Sequence, residues 1–223
     1  MKIRGAIFDM DGTLVDSLMF WDIFWRDLGK RYMGIEDFKP DVEVDKRVRT
    51  MIFTNAMSYV KQYYGLKSDE EELVCFGTEK LADFYRYQVK VKKGVKDFLD
   101  HLKKLGVRMC IASATDKEYL RIAIEACDLR DYFWSVISCS EVGKGKDQPD
   151  IYIRAMEELG LSAEDICVYE DSYVALETAR KQGFKTVGVY DKYNFEQDRL
   201  KAASNIYLSQ DQSMSELIEM TEI

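Results

Sequence analysis

The sequence contains a single histidine, which limits the kinds of catalysis that it can support. His101 lies within residues 98–102, a helical segment away from every predicted strand end. Serine and cysteine hydrolases with a catalytic triad need a histidine beside their nucleophile. We therefore expect carboxylates to carry any acid–base chemistry of this chain.

Cysteines are few and irregularly spaced. None of the five forms a C-x-x-C pair, and three lie inside or beside apolar, strand-like runs. Zinc sites and disulfide frameworks use recurrent cysteine spacings, so neither is expected here. The pattern instead indicates reduced, buried thiols in a cytoplasmic protein. The cysteines are Cys75, Cys110, Cys127, Cys139 and Cys167.

Positive charge is not in excess, and long hydrophobic runs are absent. With 32 basic and 40 acidic side chains the net charge is −8, and no dense basic stripe is present, so nucleic acid is not expected as a partner. No run of about 18 apolar residues and no signal-type stretch occurs, so no membrane span is expected.

The 223 residues, 47% of them hydrophobic, can form one large domain or a domain with an insertion. We expect a monomer or a weak dimer.

The second half of the chain alternates between two kinds of pattern. Short β-rich runs follow helical patterns from about Val107 onward, which predicts an α/β fold: a Rossmann-like parallel sheet with helices on both faces. The predicted strands are Val107–Ala112, Trp134–Ser138, Ile166–Tyr169 and Lys185–Val189, and the predicted helices are Val95–Leu105, Lys117–Cys127, Pro149–Leu159 and Ser172–Gln182. The segment 210–223 is polar and reads as a short terminal helix or a frayed end.

Residues 16–92 interrupt this alternation. They carry helical patterns rich in aromatic and charged side chains and no convincing strand, so we predict an all-helical insertion between a first strand and the rest of the core. Helices are predicted over Ser17–Arg31, Lys46–Tyr64 and Glu70–Val89, with a loop at Gly34–Asp45. The core then comprises residues 1–15 and 93–223.

Two carboxylates follow the first predicted strand, Ile3–Phe8. Asp9 and Asp11 stand two apart where the apolar run gives way to the Gly12-Thr13 turn. In open α/β sheets the carboxyl ends of the strands form the ligand-binding edge. Backbone amides of such a turn can face an anion while carboxylates bind a hard cation.

Other polar side chains follow the later strands, and we expect them at the same edge. Glu170 and Asp171 would complete an oxygen-only shell for Mg²⁺ with the first pair of carboxylates. Ser113, with Thr115, follows the second strand and could bind a phosphoryl oxygen. One of Lys144 and Lys146 could neutralise phosphate charge. Taken singly, each feature is also typical of helix caps and solvated loops.

Taken together, these residues resemble the haloacid dehalogenase superfamily of phosphatases and phosphomutases. Residues 9–17 (DMDGTLVDS) match the first family motif, Ser113 the second, residues 146–152 (KDQPDIY) the third, and residues 170–172 (EDS) the fourth. The resemblance covers essentially the whole chain and lies nearest to the beta-phosphoglucomutase-like and phosphatase subgroup. It implies that the helical insertion is a cap domain.

The resemblance also implies roles for the carboxylates. Asp9 would attack phosphorus to form an aspartyl-phosphate, and Asp11 would protonate the leaving oxygen and later deprotonate water. The Mg²⁺ ligands would be Asp9, the backbone carbonyl of Asp11, and Asp171, with Glu170 adjacent or linked through water.

The phosphoryl group would be bound by the second and third motifs, through Ser113, Ala114 and Lys146. Here the chain departs from the family, which often has Asn where Ala114 stands and usually has Pro where Asp147 stands. Asp147 leaves the choice between Lys144 and Lys146 open, and Lys146 is favoured because it is in register with the rest of the motif.

Several reactions begin with an aspartate nucleophile. Dehalogenation needs neither Asp11 nor a metal, so it is disfavoured. Mutases that resemble beta-phosphoglucomutase carry a cap histidine shortly after the first motif, where this chain has Trp21. We therefore predict a Mg²⁺-dependent hydrolase of a small phosphate ester, such as a sugar phosphate. A mutase and a phosphate-sensing module without turnover stand as alternatives.

Overall fold

The computed structural model describes residues 2–49, 51 and 53–221. The chain divides into two compact units. One unit contains the segment that ends at Ser17 together with the segment that begins at Val89, and the other is Leu18–Gln88.

The larger unit is built on a parallel sheet. Within the described residues the sheet has six strands in the order β3-β2-β1-β4-β5-β6, and every neighbouring pair is parallel. The strands are β1 (Gly5–Phe8), β2 (Arg108–Ser113), β3 (Ser135–Ser138), β4 (Ile166–Glu170), β5 (Lys185–Val189) and β6 (Ile206–Leu208). This architecture confirms the predicted α/β class.

The middle of the sheet is where the strand order reverses. β1 pairs with β2 on one side and with β4 on the other, and Phe8 is in register with Ile111 and Tyr169. Chain segments leaving β1 and β4 therefore start side by side. In doubly wound sheets this switch point is the ligand-binding crevice.

The smaller unit is helical throughout the part that the structure describes. Its helices are α1 (Phe20–Leu28), followed directly by a π-helical turn (Gly29–Met33), then α2 (Val42–Val48), α3 (Phe53–Tyr64) and α4 (Glu70–Tyr87). Rings from three helices form its interior: Phe24 lies 6.2 Å from both Phe53 and Phe76 between ring centroids. The aromatic stripe of α1 is thus packed as core.

Among the described residues, six α-helices accompany the sheet: α5 (Val95–Lys104), α6 (Lys117–Ala126), α7 (Cys139–Val142), α8 (Asp150–Leu159), α9 (Tyr173–Lys181) and α10 (Gln197–Ala203). Their apolar stripes and the sheet bury a common core in which Ile7, Val168 and Leu176 are fully inaccessible. β1 and β4 are buried along their whole length, as expected for parallel strands covered on both faces.

None of the helices that the structure describes is both long enough and apolar enough to cross a membrane.

Some predicted boundaries were wrong. The helix predicted over Lys46–Tyr64 is two helices, since α2 ends at Val48 and α3 begins at Phe53; Thr50 and Ile52 lie outside the described residues. Arg49 directly follows α2 and contacts both the Asp45 carboxylate and the carbonyl of Leu18. The predicted loop at Gly34–Asp45 contains the first turn of α2.

The C-terminal region was also underestimated. Helix α10 and strand β6 were not predicted, and a 3₁₀ turn at Met214–Ile218 occupies part of the segment predicted as a terminal helix or frayed end. Glu222 and Ile223, at the end of that segment, lie outside the described residues. β6 is short, and only its pairing with β5 makes it a strand.

The segments on either side of the helical unit pair with each other inside the larger unit. Val15 bridges Val91 in antiparallel fashion, and the amide of Lys92 donates to the carbonyl of Leu14 over 2.9 Å. The amide of Asp16 donates to the carbonyl of Lys90 over 2.8 Å. Residues 89–92 therefore belong to the sheet-containing unit by their hydrogen bonds.

Candidate active site

The turn after β1 presents two carboxylates. Asp9 extends the sheet by donating its amide to the carbonyl of Tyr169 over 2.9 Å, and the chain then reverses through Gly12. Gly12 has a φ of 76°, in the left-handed region that glycine enters without a Cβ clash. Its amide donates to the carbonyl of Val15, which closes the turn and leaves Asp9 and Asp11 at the sheet edge.

Three buried carboxylates meet at this edge. Asp9, Glu170 and Asp171 are 8%, 1% and 4% exposed, and one oxygen of each lies within 4.8 Å of the others. Burial and the nearby charge of Glu170 raise the pKa of Asp9 to about 7. Burial, with Glu170 and Asp9 nearby, likewise holds the pKa of Asp171 well above its usual range. The cluster carries more negative charge than its surroundings neutralise.

One ammonium group lies among these carboxylates. Lys146 Nζ is 2.5 Å from Asp9 Oδ1 and 2.7 Å from Glu170 Oε2. Burial alone would lower the pKa of Lys146, but the two carboxylates outweigh it and raise that pKa well above its ordinary value. Lys144 instead pairs with Asp150 over 2.8 Å near the surface. Of the two candidate lysines, the structure brings Lys146 to the cluster.

The donor set fits a hard divalent cation. All three side chains offer carboxylate oxygens, which Mg²⁺ prefers over nitrogen or sulfur. Burial, together with repulsion between the neighbouring carboxylates, raises the pKa of Asp9 and Asp171, and a further positive charge at their shared centre would favour the ionised carboxylates. The residues present are therefore suited to Mg²⁺.

Asp11 occupies a different environment from Asp9. Thr115 Oγ1 donates to its Oδ2 over 2.7 Å, and Ser17 Oγ donates to its Oδ1 over 2.6 Å. Two hydroxyls thus orient a carboxylate that stands apart from the buried cluster of three. Ser17 belongs to the first motif and Thr115 follows β2, but the sequence alone did not indicate that both hold Asp11.

The turn after β2 lies beside the first motif. Ser113 is the last residue of β2 and is almost fully buried, and its Oγ accepts a hydrogen bond from the amide of Thr115 over 3.1 Å. Ala114 lies between these two residues. Because Thr115 Oγ1 contacts Asp11, the turn that contains Ser113 and Ala114 lies beside Asp11.

Asp171 has two hydrogen-bond donors that sequence reasoning missed. Thr13 Oγ1 donates to its Oδ1 over 3.0 Å, and the side-chain amide of Asn194 donates to its Oδ2 and, over 2.9 Å, to its backbone carbonyl. Asn194 follows β5, and no motif signal distinguishes it from an ordinary turn asparagine.

Comparisons with known proteins show the family of this chain. A family model described as haloacid dehalogenase-like hydrolase matches residues 3–183. The "Phosphorylated carbohydrates phosphatase" of Thermotoga maritima is 23% identical over 220 residues, which cover 98% of this chain and 100% of that protein. The beta-phosphoglucomutase of Bacillus subtilis is 23% identical over 203 residues, or 84% of this chain and 83% of that protein.

Solved structures share the fold. A structure titled as a putative beta-phosphoglucomutase from Thermotoga maritima superimposes with a TM-score of 0.79 at 22% identity and covers 98% of both chains. At this identity the likeness concerns the fold.

Proposed function

This chain belongs to the haloacid dehalogenase-like hydrolases, and we propose that it is a Mg²⁺-dependent phosphatase that hydrolyses a phosphate monoester of a small metabolite. One observation supports the proposal above others. A buried cluster of three carboxylates lies around Lys146 and beside a fourth carboxylate, Asp11, which two hydroxyls orient.

The two aspartates of the first motif would divide the chemistry. A carboxylate oxygen of Asp9 attacks phosphorus, so that a new P–O bond forms as the ester P–O bond breaks. Asp11 gives its proton to the departing alcohol oxygen. Asp11 then takes a proton from water, whose oxygen attacks the aspartyl-phosphate, releases inorganic phosphate and restores Asp9. The separate environments of Asp9 and Asp11 support these separate roles.

The residues of the carboxylate cluster would hold the metal ion. The ligands in this proposal are Asp9, Asp171 and the backbone carbonyl of Asp11, with Glu170 bound directly or through water. Bound Mg²⁺ supplies positive charge that offsets the repulsion between a carboxylate nucleophile and a phosphate dianion.

The phosphoryl group would also be held by the second and third motifs. Lys146 contributes a fixed positive charge to it and bridges Asp9 and Glu170 through its two ion pairs. Ser113 and Ala114 contribute a hydroxyl and backbone amides from the turn after β2. Fixed dipoles and charges of this kind stabilise a transferring phosphoryl group without reorganisation.

Hydrolysis is favoured over phosphoryl transfer between sugar positions. The sole histidine of the sequence, His101, lies in α5 of the sheet-containing unit, so Leu18–Gln88 has no histidine of the kind that the mutase subgroup carries there. We propose that Leu18–Gln88 serves as the cap domain. A phosphorylated carbohydrate is the proposed substrate, because the name of the Thermotoga maritima relative specifies that class. We further propose a cytoplasmic monomer or weak dimer.

A panel of phosphate esters tests this function. Sugar phosphates, nucleotides and an aryl phosphate are each assayed for inorganic phosphate release with Mg²⁺ and with EDTA. We expect many turnovers on at least one sugar phosphate with Mg²⁺ and none with EDTA. Equal rates under both conditions, or a single phosphorylation event without turnover, would contradict the proposal, and the latter result would instead favour a phosphate-sensing module.

A further inference from the structure

Both carboxylate oxygens of Asp171 are engaged by neutral donors. Thr13 contacts Oδ1 from the first motif, and Asn194 contacts Oδ2 and the backbone carbonyl from the loop after β5. Since an ionised carboxylate has about four lone-pair positions, each oxygen keeps capacity for a metal ion. These hydrogen bonds therefore determine the orientation of the Asp171 carboxylate plane.

The side chain of Asn194 is itself held in place by a tight turn. The amide of Asn194 donates to the carbonyl of Asp191 over 3.1 Å, and the amide of Tyr193 donates to Asp191 Oδ1 over 2.9 Å. From α10, the side-chain amide of Gln197 donates to the carbonyls of Asp191 and Asn194 at 2.9 and 3.0 Å. The turn Asp191–Asn194 thus has a defined conformation, and its position depends on what anchors Asp191.

Asp191 is anchored by a buried ion pair. Lys92 Nζ lies 2.8 Å from Asp191 Oδ2 and donates to the carbonyl of Tyr190 over 3.0 Å, and both charged side chains are largely inaccessible. Lys92 belongs to the segment that pairs with residues 14–16, in the second half of the first motif. The ion pair therefore connects the chain beside Asp11 to the turn that orients Asp171.

A buried ion pair contributes little net stability, because desolvation of both charges offsets their attraction. The Lys92–Asp191 ion pair lies at the end of a series of contacts that runs from Asp171 through Asn194 to Asp191, so it can serve a purpose other than stability. We propose that Asn194 is a positioning residue for Asp171, and that the Lys92–Asp191 ion pair holds the turn from which Asn194 acts. Divalent-cation affinity then depends on Asn194 directly and on Lys92 through Asn194. The inference rests on the proposed metal site.

The experiment measures cation binding without substrate. The full chain, stripped with EDTA and dialysed, is titrated with Mg²⁺ in a calorimeter, and its thermal unfolding is recorded in EDTA. The variants are Asn194→Ala, Lys92→Met and the double variant. Asn205→Ala serves as a structural control, because Asn205 accepts a hydrogen bond from the amide of Thr186 with no contact to the carboxylates. Lys93→Met is the control for an exposed neighbouring lysine.

We expect Asn194→Ala to weaken Mg²⁺ binding by about 10-fold or more, the usual size of an effect from a partner of a metal ligand. Lys92→Met should weaken it less, and the double variant should bind no more weakly than Asn194→Ala, because the two residues act in series. Asn205→Ala should lower the unfolding temperature in EDTA and leave the affinity unchanged. Lys93→Met should change neither quantity.

Three results would overturn the inference. If the Asn194→Ala variant binds Mg²⁺ with wild-type affinity, Asn194 has no positioning role, and the proposed metal site and function are unaffected. If the losses of Mg²⁺ affinity in the two single variants add up in the double variant, Lys92 does not act through Asn194. Failure of the wild-type chain to bind any Mg²⁺ overturns the proposed metal site and this inference together.

Discussion

Lys146 and Asp9 form an ion pair in which 2.5 Å separates Nζ from Oδ1, and both side chains are about nine-tenths buried. A lysine in this position is unable to serve as an exposed, flexible counter-ion. Its charge is directed at the carboxylate that we propose as the nucleophile, so the proposed mechanism needs both groups.

Replacement of Lys146 by Met should lower kcat/KM by at least about 100-fold, the size of effect seen when one preorganised charge-stabilising group is removed. Lys144→Met is the matched control, since Lys144 pairs with Asp150 near the surface and its loss should leave kcat/KM unchanged. Steady-state kinetics on the best ester of the panel measures both. A greater loss with Lys144→Met than with Lys146→Met would reverse the assignment.

Asp9→Asn should abolish turnover, because the amide is a poor nucleophile and a poor metal ligand. Inorganic phosphate release is measured over hours to detect residual activity. Circular dichroism establishes that the variant is folded, and full activity in a folded Asp9→Asn protein would refute the mechanism.

Thr115→Val should reduce kcat by about 10-fold with little change in KM, because it removes a 2.7 Å hydrogen bond to Asp11 and a bond to a charged group is worth about 1.5–3 kcal/mol. Thr178→Val is the control. Thr178 donates within its own helix to the carbonyl of Val174, so this change should leave kcat unchanged. If kcat of Thr115→Val equals that of the wild type, Thr115 does not orient the proposed acid–base.

Trp25→Phe should destabilise the helical unit by about 2 kcal/mol. Trp25 is 1% exposed, and its indole Nε1 donates to Asp45 Oδ1 over 2.7 Å, so the substitution removes buried apolar area and a hydrogen bond to a charged acceptor. Trp134→Phe is the matched control, because Trp134 is 75% exposed and such surface changes have small effects. Urea unfolding followed by circular dichroism gives both values. Equal unfolding midpoints for the two variants would contradict a stabilising role of the buried Trp25 side chain.

The α/β class could be predicted because the strands of a parallel sheet alternate with helices along the sequence. The polar residues that follow these strands then lie along one edge of the sheet. Asp9, Ser113 and Glu170 each stand at the end of an apolar run, which made them visible without a structure. Lys146 lies in a loop that no periodicity locates, and only its match to a motif favoured it over Lys144. Its two ion pairs appear only in three dimensions.

Other features could not be predicted, for physical reasons. β6 has three residues, and its partner β5 supplies the hydrogen bonds that define it. In α10 only Leu200 and Ala203 are buried, so its sequence carries almost no helical stripe. Asn194 acts through an interaction between residues 23 positions apart, and nothing in the local sequence marks it. Contacts of this kind depend on tertiary packing.

The most direct test of the mechanism is to trap the phosphoryl group on the nucleophile. Asp11→Asn is mixed with an aryl phosphate, whose leaving group needs no protonation, then quenched in acid within milliseconds and digested for mass spectrometry. We expect one phosphoryl group on the peptide that contains Asp9, accumulating with Mg²⁺ and not with EDTA. Phosphorylation of another residue, or substrate turnover with no phosphorylated peptide at any time, would contradict Asp9 as the nucleophile.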